Sequence, residues 1–213
     1  MDFLDQDIEE YARLFSSPET EVMKELNRET HLQKLQPRML SGHLQGNFLK
    51  MISQMIRPQH ILEIGTFTGY SALALASGLK ENGKLTTLEF NEEHESIARK
   101  YFTKAGLDDK IEMIIGKASD LIPTLNTPWD LVFIDADKIN YSLYYDLVFD
   151  AVPSGGWIIA DNVLWSGKVL MNDKELDDDT LAIKAFNKKV NEDPRVENMI
   201  LPFRDGLLLI RKL

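Results

Sequence analysis

Short apolar runs alternate along this chain with segments of helical or loop character, and this alternation restricts the fold more than any other feature. Five such runs occur between positions 60 and 162. The pattern predicts parallel strands of one α/β sheet, with helices on both of its faces. The predicted strands are HILEIG (60–65), KLTTLEF (84–90), KIEMIIG (110–116), DLVFIDA (130–136) and GGWIIADN (155–162).

Both ends of the chain add to this arrangement. The last two apolar runs, VENMILPF (196–203) and GLLLIRKL (206–213), are separated by so few residues that an antiparallel pair is expected. Residues 1–57 carry three amphipathic helical patterns, and the first of these has an apolar face made of Leu4, Ile8, Tyr11, Ala12 and Phe15. We expect a single domain, residues 1–213, in which residues 1–57 form an N-terminal helical extension.

Composition excludes several classes of protein. With 213 residues, 44% of them hydrophobic, the chain can bury the core of one domain. The absence of cysteine excludes disulfide frameworks and thiolate metal sites. A net charge of −10 disfavours non-specific binding to nucleic acid, although a local basic patch could still form. Neither a signal peptide nor a membrane-length apolar run is visible, so a cytoplasmic protein is expected.

A glycine turn and an acidic residue follow the first two predicted strands. Gly65 and Gly69 form a G-x-x-x-G pattern, which differs from the dinucleotide fingerprint but allows close approach of a ligand to the backbone. Glu89 lies 20 positions beyond Gly69, where an acid can bind the hydroxyls of a ribose. Together they indicate a ligand that contains a nucleoside. The alternatives are a purely structural turn and a surface acid at the end of a strand.

Oxygen-bearing side chains follow the fourth and fifth predicted strands. Asp135 ends one strand, and Asp161 and Asn162 end the other, so the three should meet at one edge of the sheet. Hard oxygen ligands of this kind suit Mg²⁺, and also Mn²⁺ or Ca²⁺. The alternative is that each is a helix cap or a turn residue.

Four segments together resemble the metal-dependent class I O-methyltransferases, which include the caffeoyl-CoA and catechol O-methyltransferases and particularly their bacterial members. The segments are ILEIGTFTGYSALALA, TLEF, FIDADKINYSLYYD and GGWIIADNVLWSGKV. The resemblance implies S-adenosylmethionine as the cofactor and a Rossmann-like sheet of seven strands, parallel except for the last. It also implies a homodimer, and an N-terminal extension that covers the cofactor and the methyl acceptor.

The resemblance assigns roles to individual residues. It implies that Asp135, Asp161 and Asn162 bind the metal and that Lys138 is the general base. The residues implied to contact the cofactor are Met39, Glu63, Gly65, Thr66, Ser71, Glu89, Ala118 and Asp135. Near Met39 the chain departs from the family's usual G-Q-F-L and has Gly46-Asn47-Phe48-Leu49.

The expected reaction moves a methyl group from S-adenosylmethionine to a hydroxyl of a catechol-type small molecule, a hydroxylated aromatic with two adjacent oxygens. Lys138 could take the phenolic proton, because partial burial beside a cation favours the neutral amine. The alternative for Lys138 is a salt bridge to Asp135 or Asp137, and no role is assigned to Asp137.

Two other functions stay open. One is a tRNA methyltransferase acting on 5-hydroxyuridine, for which Lys34, Arg38, Lys138 and Lys168 would have to form a basic rim. The other is a non-catalytic protein that binds S-adenosylmethionine.

Several conspicuous residues are predicted to have no role in the reaction. His31, His43, His60 and His94 share no ligand spacing and are expected at the surface or in helix caps. Met51 and Met55 are expected in the core, and the acidic run from Asp173 to Asp179 is expected to be a solvated loop. Trp165 could equally line an acceptor pocket or serve packing.

Overall fold

Seven strands form one sheet in the structure, a computed structural model that describes residues 6–213 except for the side chains of Gln6 and Glu175. Their spatial order is β3-β2-β1-β4-β5-β7-β6, and β7 is antiparallel to both of its neighbours. The remaining neighbours are parallel. The strands are β1 His60–Ile64, β2 Lys84–Glu89, β3 Ile111–Ile115, β4 Leu131–Ile134, β5 Trp157–Asp161, β6 Val196–Leu201 and β7 Leu207–Lys212. The predicted α/β fold with one antiparallel strand is therefore confirmed.

Eight α-helices surround the sheet in the described part of the chain. They are α1 Gln6–Leu14, α2 Glu21–Gln33, α3 Gly42–Ile56, α4 Tyr70–Ala76, α5 Glu95–Lys104, α6 Ala118–Leu121, α7 Tyr141–Phe149 and α8 Asp178–Asn191. Leu4, predicted on the apolar face of the first helix, lies outside the described residues. Within residues 6–213, no helix combines the length and the apolar character needed to cross a membrane.

The core lies in two layers, one on each face of the sheet. Leu62 and Ile64 of β1 point into a layer that contains Tyr145 and Phe186 of α7 and α8. Ile61, which precedes Leu62, points into the opposite layer, which is formed with α2 to α5. Because both faces are covered, the parallel strands are apolar on both sides, which explains their nearly continuous hydrophobic runs.

Helix α3 buries a different face from the one its apolar residues suggest. Its buried residues are Gln45, Gly46, Leu49 and Ser53, whereas Met55 is 78% exposed. Gly46 lets the helix approach Tyr70, since a Cβ there would lie 2.6 Å from the ring. Ser53 Oγ donates to the carbonyl of Leu75 at 2.6 Å. Polar partners in α4 and at the sheet edge thus override the hydrophobic pattern.

Several apolar residues of the N-terminal helices are exposed in the structure, and for two of them this corrects a prediction. Ile8, Tyr11 and Phe15 of the first amphipathic segment are exposed, and the rings of Tyr11 and Phe15 contact each other with centroids 4.4 Å apart. Met51 and Met55, predicted in the core, are also exposed. These residues have apolar periodicity, but no element within residues 6–213 covers them.

Helix α2 connects the N-terminal helices to the sheet. The hydroxyls of buried Thr30 and Thr68 lie 2.9 Å apart, which joins α2 to the glycine turn. On the other side of α2, Glu29 accepts hydrogen bonds from Lys100 Nζ at 2.5 Å and Tyr101 Oη at 2.7 Å in α5. The helix is thereby held beside the carboxyl end of β1.

Candidate active site

The carboxyl ends of β1, β2, β4 and β5 meet at one edge of the sheet. The chain reverses its direction across the sheet between β1 and β4, which is where open α/β sheets form their ligand crevice. Gly65, with φ +100°, makes this junction possible, because a Cβ there would lie 2.0 Å from the carbonyl oxygen of Asp135. Only glycine lets the ends of β1 and β4 approach so closely.

Glu63 is fully buried below the glycine turn. Its Oε2 accepts a hydrogen bond from Thr87 Oγ1 at 2.5 Å, and Thr66 Oγ1 lies 2.5 Å from the same hydroxyl. Its Oε1 is buried without a well-formed hydrogen bond among the described residues, although hydrogen bonding from Ser71 lowers the pKa of this carboxyl somewhat. Burial raises the pKa of Glu63 to about 8. A cationic or hydrogen-bond-donating ligand would satisfy this oxygen, and the ammonium group of S-adenosylmethionine meets that requirement.

Glu89, at the end of β2, has its pKa shifted in the opposite direction from that of Glu63. Its Oε2 accepts from the amide of Phe67 at 2.7 Å, and its Oε1 accepts from the amide of Asn91 at 2.8 Å. His94 Nδ1 lies 3.3 Å from Oε1. Burial raises the pKa of Glu89, but His94 and the two amides outweigh it, so the net shift is downward. Glu89 is therefore a preorganised anion, suited to accept hydrogen bonds from ribose hydroxyls.

His94 is neither a surface residue nor a side-chain cap, which were the two environments predicted for it. It stands at the N-cap position of α5, but its side chain makes no capping bond. Its ring is instead half-buried between Glu89 and Phe67, and it meets the Phe67 ring edge to face at 4.8 Å. The other histidines fit the prediction better, since the rings of His31 and His43 bond to backbone carbonyls in exposed positions.

Three further residues that the resemblance links to the cofactor lie around the same edge. Ser71 is buried in the first turn of α4, and Ala118 begins α6 and packs against the core. Met39 ends a short 3₁₀ turn and is 55% exposed. The burial of Ser71 and the partial burial of Ala118 need no ligand to explain them, and the contacts of both residues with a cofactor stay predictions.

Asp161, at the end of β5, is only 3% exposed. Its Oδ2 accepts from Gln45 Nε2 at 2.5 Å, and its Oδ1 accepts from the backbone amide of Asn162 at 2.7 Å. Burial, followed by the negative charge of Asp135, raises the pKa of Asp161 to about 7. Two carboxylates placed this close are costly to ionise unless a cation lies between them.

Lys138 supplies one cation to this cluster. Its Nζ donates to Tyr141 Oη at 2.5 Å, to Asn162 Oδ1 at 2.8 Å and to Asp135 Oδ1 at 3.2 Å. The alternative of an ion pair with Asp135 is thus present in this structure. Asp137 is engaged elsewhere, because its Oδ1 accepts from Tyr144 Oη at 2.5 Å.

The oxygen atoms around Lys138 suit a hard divalent cation. No group of three or more His, Cys, Asp or Glu residues that could hold a metal occurs within residues 6–213. The candidate set is two carboxylates and the Asn162 amide oxygen, which fits Mg²⁺, Mn²⁺ or Ca²⁺ when substrate and water oxygens complete the shell. Such a cation would have to replace two of the three hydrogen bonds of Lys138 Nζ.

Trp165 lies beside Lys138 on the segment that follows β5. Its ring centroid is 5.6 Å from Lys138 Nζ, and its φ of 46° begins a left-handed bend that continues through Ser166 and Gly167. Asp205, in the turn between β6 and β7, accepts a hydrogen bond from the amide of Ser166. Of the two alternatives for Trp165, this position favours a wall of the acceptor site.

The acidic run that follows is mostly exposed among its described side chains, as expected of a solvated loop, and some of these side chains form ion pairs or a helix cap. Asp177 caps α8 by accepting from the amide of Thr180 at 2.9 Å, and it pairs with Lys168 at 2.6 Å. Asp173 pairs with Lys184 of α8. The segment between β5 and α8 is therefore attached to the protein at both of its acidic ends.

Five residues that contact the predicted site were given no role in it from the sequence. They are Gln45, Thr87, His94, Tyr141 and Arg204. Tyr141 and Thr87 stand inside the quoted segments FIDADKINYSLYYD and TLEF, and Gln45 directly precedes Gly46, so the sequence carried a local signal for these three. Arg204 carries no local signal, because only the packing of the β6–β7 turn brings it to α3.

Known proteins match this chain over nearly its whole length. The O-methyltransferase family model matches residues 13–213. A probable caffeoyl-CoA O-methyltransferase 2 of Dictyostelium discoideum is 35% identical, with 95% of this chain and 90% of that protein aligned. A catechol O-methyltransferase of Niastella koreensis is 36% identical, with 74% of this chain and 72% of that protein aligned.

A solved structure agrees with these matches. The O-methyltransferase from Bacillus cereus, crystallised in complex with SAH, has a TM-score of 0.90 and 31% identity, and 97% of each chain is covered. Fold, site and sequence agree: the chain belongs to the O-methyltransferase family and is an S-adenosylmethionine-dependent enzyme of its caffeoyl-CoA and catechol O-methyltransferase group.

Proposed function

We propose that this enzyme needs a divalent cation and methylates a hydroxyl of a catechol-type small molecule. The observation that carries the proposal is the convergence of Asp135, Asp161, Asn162 and Lys138 at the ends of β4 and β5. An acceptor with two adjacent oxygens fits a cation held from one side by three protein oxygens. The relatives named for catechol and caffeoyl-CoA methylation support this class of acceptor.

The glycine turn and its neighbours would hold S-adenosylmethionine, which supplies an electrophilic methyl group. Glu89 is ionised and fixed by two amides, so it can bind the ribose without reorganising. The buried Oε1 of Glu63 would accept a hydrogen bond from the ammonium end of the cofactor, and its unsatisfied state supports this contact. These two contacts orient the cofactor along the edge formed by β1 and β2.

Asp135, Asp161 and Asn162 would hold the cation, which supplies Lewis-acid stabilisation of a phenolate oxygen. Lys138 Nζ is the atom positioned to take the proton of the acceptor hydroxyl. Tyr141 Oη, at 2.5 Å, keeps Nζ at this location. The Trp165 ring beside Nζ provides an aromatic wall against which a flat acceptor can pack.

The experiment that tests the proposal measures methyl transfer to a panel of catechols. Asp161→Ala should lower turnover at least 100-fold, because it removes a cation ligand, while S-adenosylmethionine still binds in calorimetry. Excess chelator should silence the wild type, and Mg²⁺ or Mn²⁺ should restore it. Asp146→Ala is the matched control. It removes an exposed acid of α7 that pairs with Lys189 of α8. Full activity in excess chelator would refute the cation requirement.

No specific observation favours the tRNA alternative, which stays a prediction. Of its basic-rim candidates, Lys34 Nζ bonds to the Glu93 carbonyl at 2.7 Å, and Lys168 pairs with Asp177. Lys138 is only 7% exposed. Transfer of labelled methyl groups to tRNA in the same assay, with catechols turned over slowly, would reverse the assignment.

We also propose that the enzyme is a homodimer. The family resemblance implies this state, and the exposed apolar residues of α1 and α3 provide a surface that a second copy could cover. Two further expectations stay predictions. One is that residues 1–57 cover the active site, and the other is that the enzyme is cytoplasmic.

A further inference from the structure

A chain of hydrogen bonds runs from the β6–β7 turn to the carboxylate at the end of β5. Arg204 Nη1 donates to Gln45 Oε1 at 3.0 Å, and Gln45 Nε2 donates to Asp161 Oδ2 at 2.5 Å. Arg204 also donates to the carbonyl of Leu40 from both Nη1 and Nη2 at 3.3 Å. Gln45 is separated in sequence from Asp161 by 116 positions and from Arg204 by 159.

Arg204 determines which way the Gln45 amide points. A glutamine side chain has a donor end and an acceptor end, and a guanidinium can only donate. Gln45 must therefore turn its Oε1 toward Arg204, which leaves Nε2 facing Asp161. The two bonds to Leu40 hold the guanidinium in place, and Gln45 itself is almost completely buried in α3. Few other orientations are open to this amide.

The result is an Asp161 carboxylate with one lone pair of each oxygen already used. Oδ2 is engaged by Gln45, and Oδ1 is engaged by the amide of Asn162. The remaining lone pairs have a fixed direction, and outer partners of this kind orient metal-binding carboxylates in proteins.

We propose that Arg204 and Gln45 are positioning residues that orient the Asp161 carboxylate for the divalent cation. This inference rests on the proposed cation requirement. Neither residue touches the cofactor or the acceptor in this assignment, since Arg204 acts through Gln45.

Coulomb's law alone predicts the opposite effect of Arg204. A positive charge near a cation site repels the cation, so its removal should tighten metal binding. A positioning role predicts weaker binding after the same removal, because Gln45 is then free to turn its Oε1 toward Asp161. The sign of the change in metal affinity therefore distinguishes the two.

Arg204→Gly is the most informative substitution. Arg204 has a φ of +50°, so glycine fits the backbone without strain, and the variant should fold. Arg57→Gly is a matched control, because Arg57 has a φ of +51° at the end of α3, just before β1 begins at the other edge of the sheet. Both variants lose one guanidinium from a left-handed position.

The measurement is calorimetric titration of Mn²⁺ into the cofactor-free protein. Arg204→Gly should weaken Mn²⁺ affinity about 10-fold to 100-fold, as is typical when an outer partner of a metal ligand is lost. Arg57→Gly should leave Mn²⁺ affinity unchanged, and both variants should keep wild-type affinity for S-adenosylmethionine. Unchanged or tighter Mn²⁺ binding by Arg204→Gly would overturn the proposal.

A double-mutant cycle tests whether Arg204 acts through Gln45. Gln45→Met should weaken Mn²⁺ binding by itself, and adding Arg204→Gly should weaken it no further. Additive losses would overturn the relay. If the wild type binds no Mn²⁺, the proposed cation requirement fails and the inference fails with it. Normal wild-type binding with an unaffected Arg204→Gly variant would overturn the inference alone.

Discussion

Lys138 occupies the most crowded polar position of the active site. Its Nζ has three hydrogen atoms and three oxygen partners, contributed by Tyr141, Asn162 and Asp135. In this arrangement the ammonium balances the carboxylates of the cluster. The proposed base needs a free electron pair on Nζ, so it has to release at least one partner and a proton before it can accept one from the acceptor.

Substitution of Lys138 separates a proton acceptor from a fixed positive charge. Lys138→Met should lower turnover about 10²-fold to 10⁴-fold, the usual effect of losing acid–base catalysis. Lys138→Arg should be nearly as damaging, because a guanidinium does not deprotonate at working pH. Turnover is measured with saturating catechol and cofactor, and cofactor affinity is followed by calorimetry. Lys24→Met, which removes an exposed lysine of α2, is the control.

Full turnover by Lys138→Arg would show that the site needs only a charge at this position. Loss of cofactor affinity in both variants would instead indicate a structural role, since Lys138 is almost completely buried.

At the scale of elements, the junction between β1 and β4 joins the side proposed for the cofactor to the side proposed for the cation. Gly65 follows β1 and its amide bonds to the carbonyl of Leu88, while its Cα faces the carbonyl of Asp135 after β4. A change at this single contact should therefore disturb both halves of the site.

Gly65→Ala should destabilise the protein and should also weaken the binding of both S-adenosylmethionine and the divalent cation. The φ of +100° alone costs an L-residue about 1–2 kcal/mol, and a Cβ at 2.0 Å from the Asp135 carbonyl adds overpacking of about 1–3 kcal/mol. Gly106→Ala is the control, because it has a φ of +68° with no atom within 4 Å of the added Cβ. Urea unfolding and calorimetry with Mn²⁺ and S-adenosylmethionine measure the effects. An equal loss of stability in both variants, with ligand binding intact, would contradict the proposed coupling of the two halves.

At the scale of the whole molecule, the N-terminal helices carry an apolar surface that nothing within residues 6–213 covers. Tyr11 is 64% exposed on α1, and Phe15 beside it is similarly exposed, as are Met51 and Met55 on α3. Large aromatic side chains exposed in this way are typical of surfaces that contact another protein. A second copy of the chain is the partner that the family resemblance implies.

The double substitution Tyr11→Asp and Phe15→Asp should convert a dimer into a monomer in sedimentation velocity experiments. Two buried, unpaired charges per subunit would oppose association strongly. Leu170→Asp changes another highly exposed apolar residue, far along the chain in the segment before α8, and should leave the dimer intact. Dimers that persist in the double variant would place the contact elsewhere, and a monomeric wild type would refute the homodimer.

The sequence by itself determined the α/β architecture, the antiparallel closing strand and the approximate place of every strand. It could do so because apolar runs bounded by glycines and acids are local signals, and because the carboxyl ends of parallel strands necessarily share one edge. For the same reason it predicted that Asp135, Asp161 and Asn162 lie near one another. The family was evident because its motifs are continuous in the chain.

Tertiary structure alone decided which polar side chains contact one another. The buried face of α3 carries Gln45 and Ser53 because Asp161 and the Leu75 carbonyl offer hydrogen bonds there, which no hydrophobic periodicity can indicate. His94 became part of the site because the turn after β2 directs it toward Glu89. Arg204 reaches Gln45 across 159 positions, and contacts of that range depend on packing rather than on any local pattern.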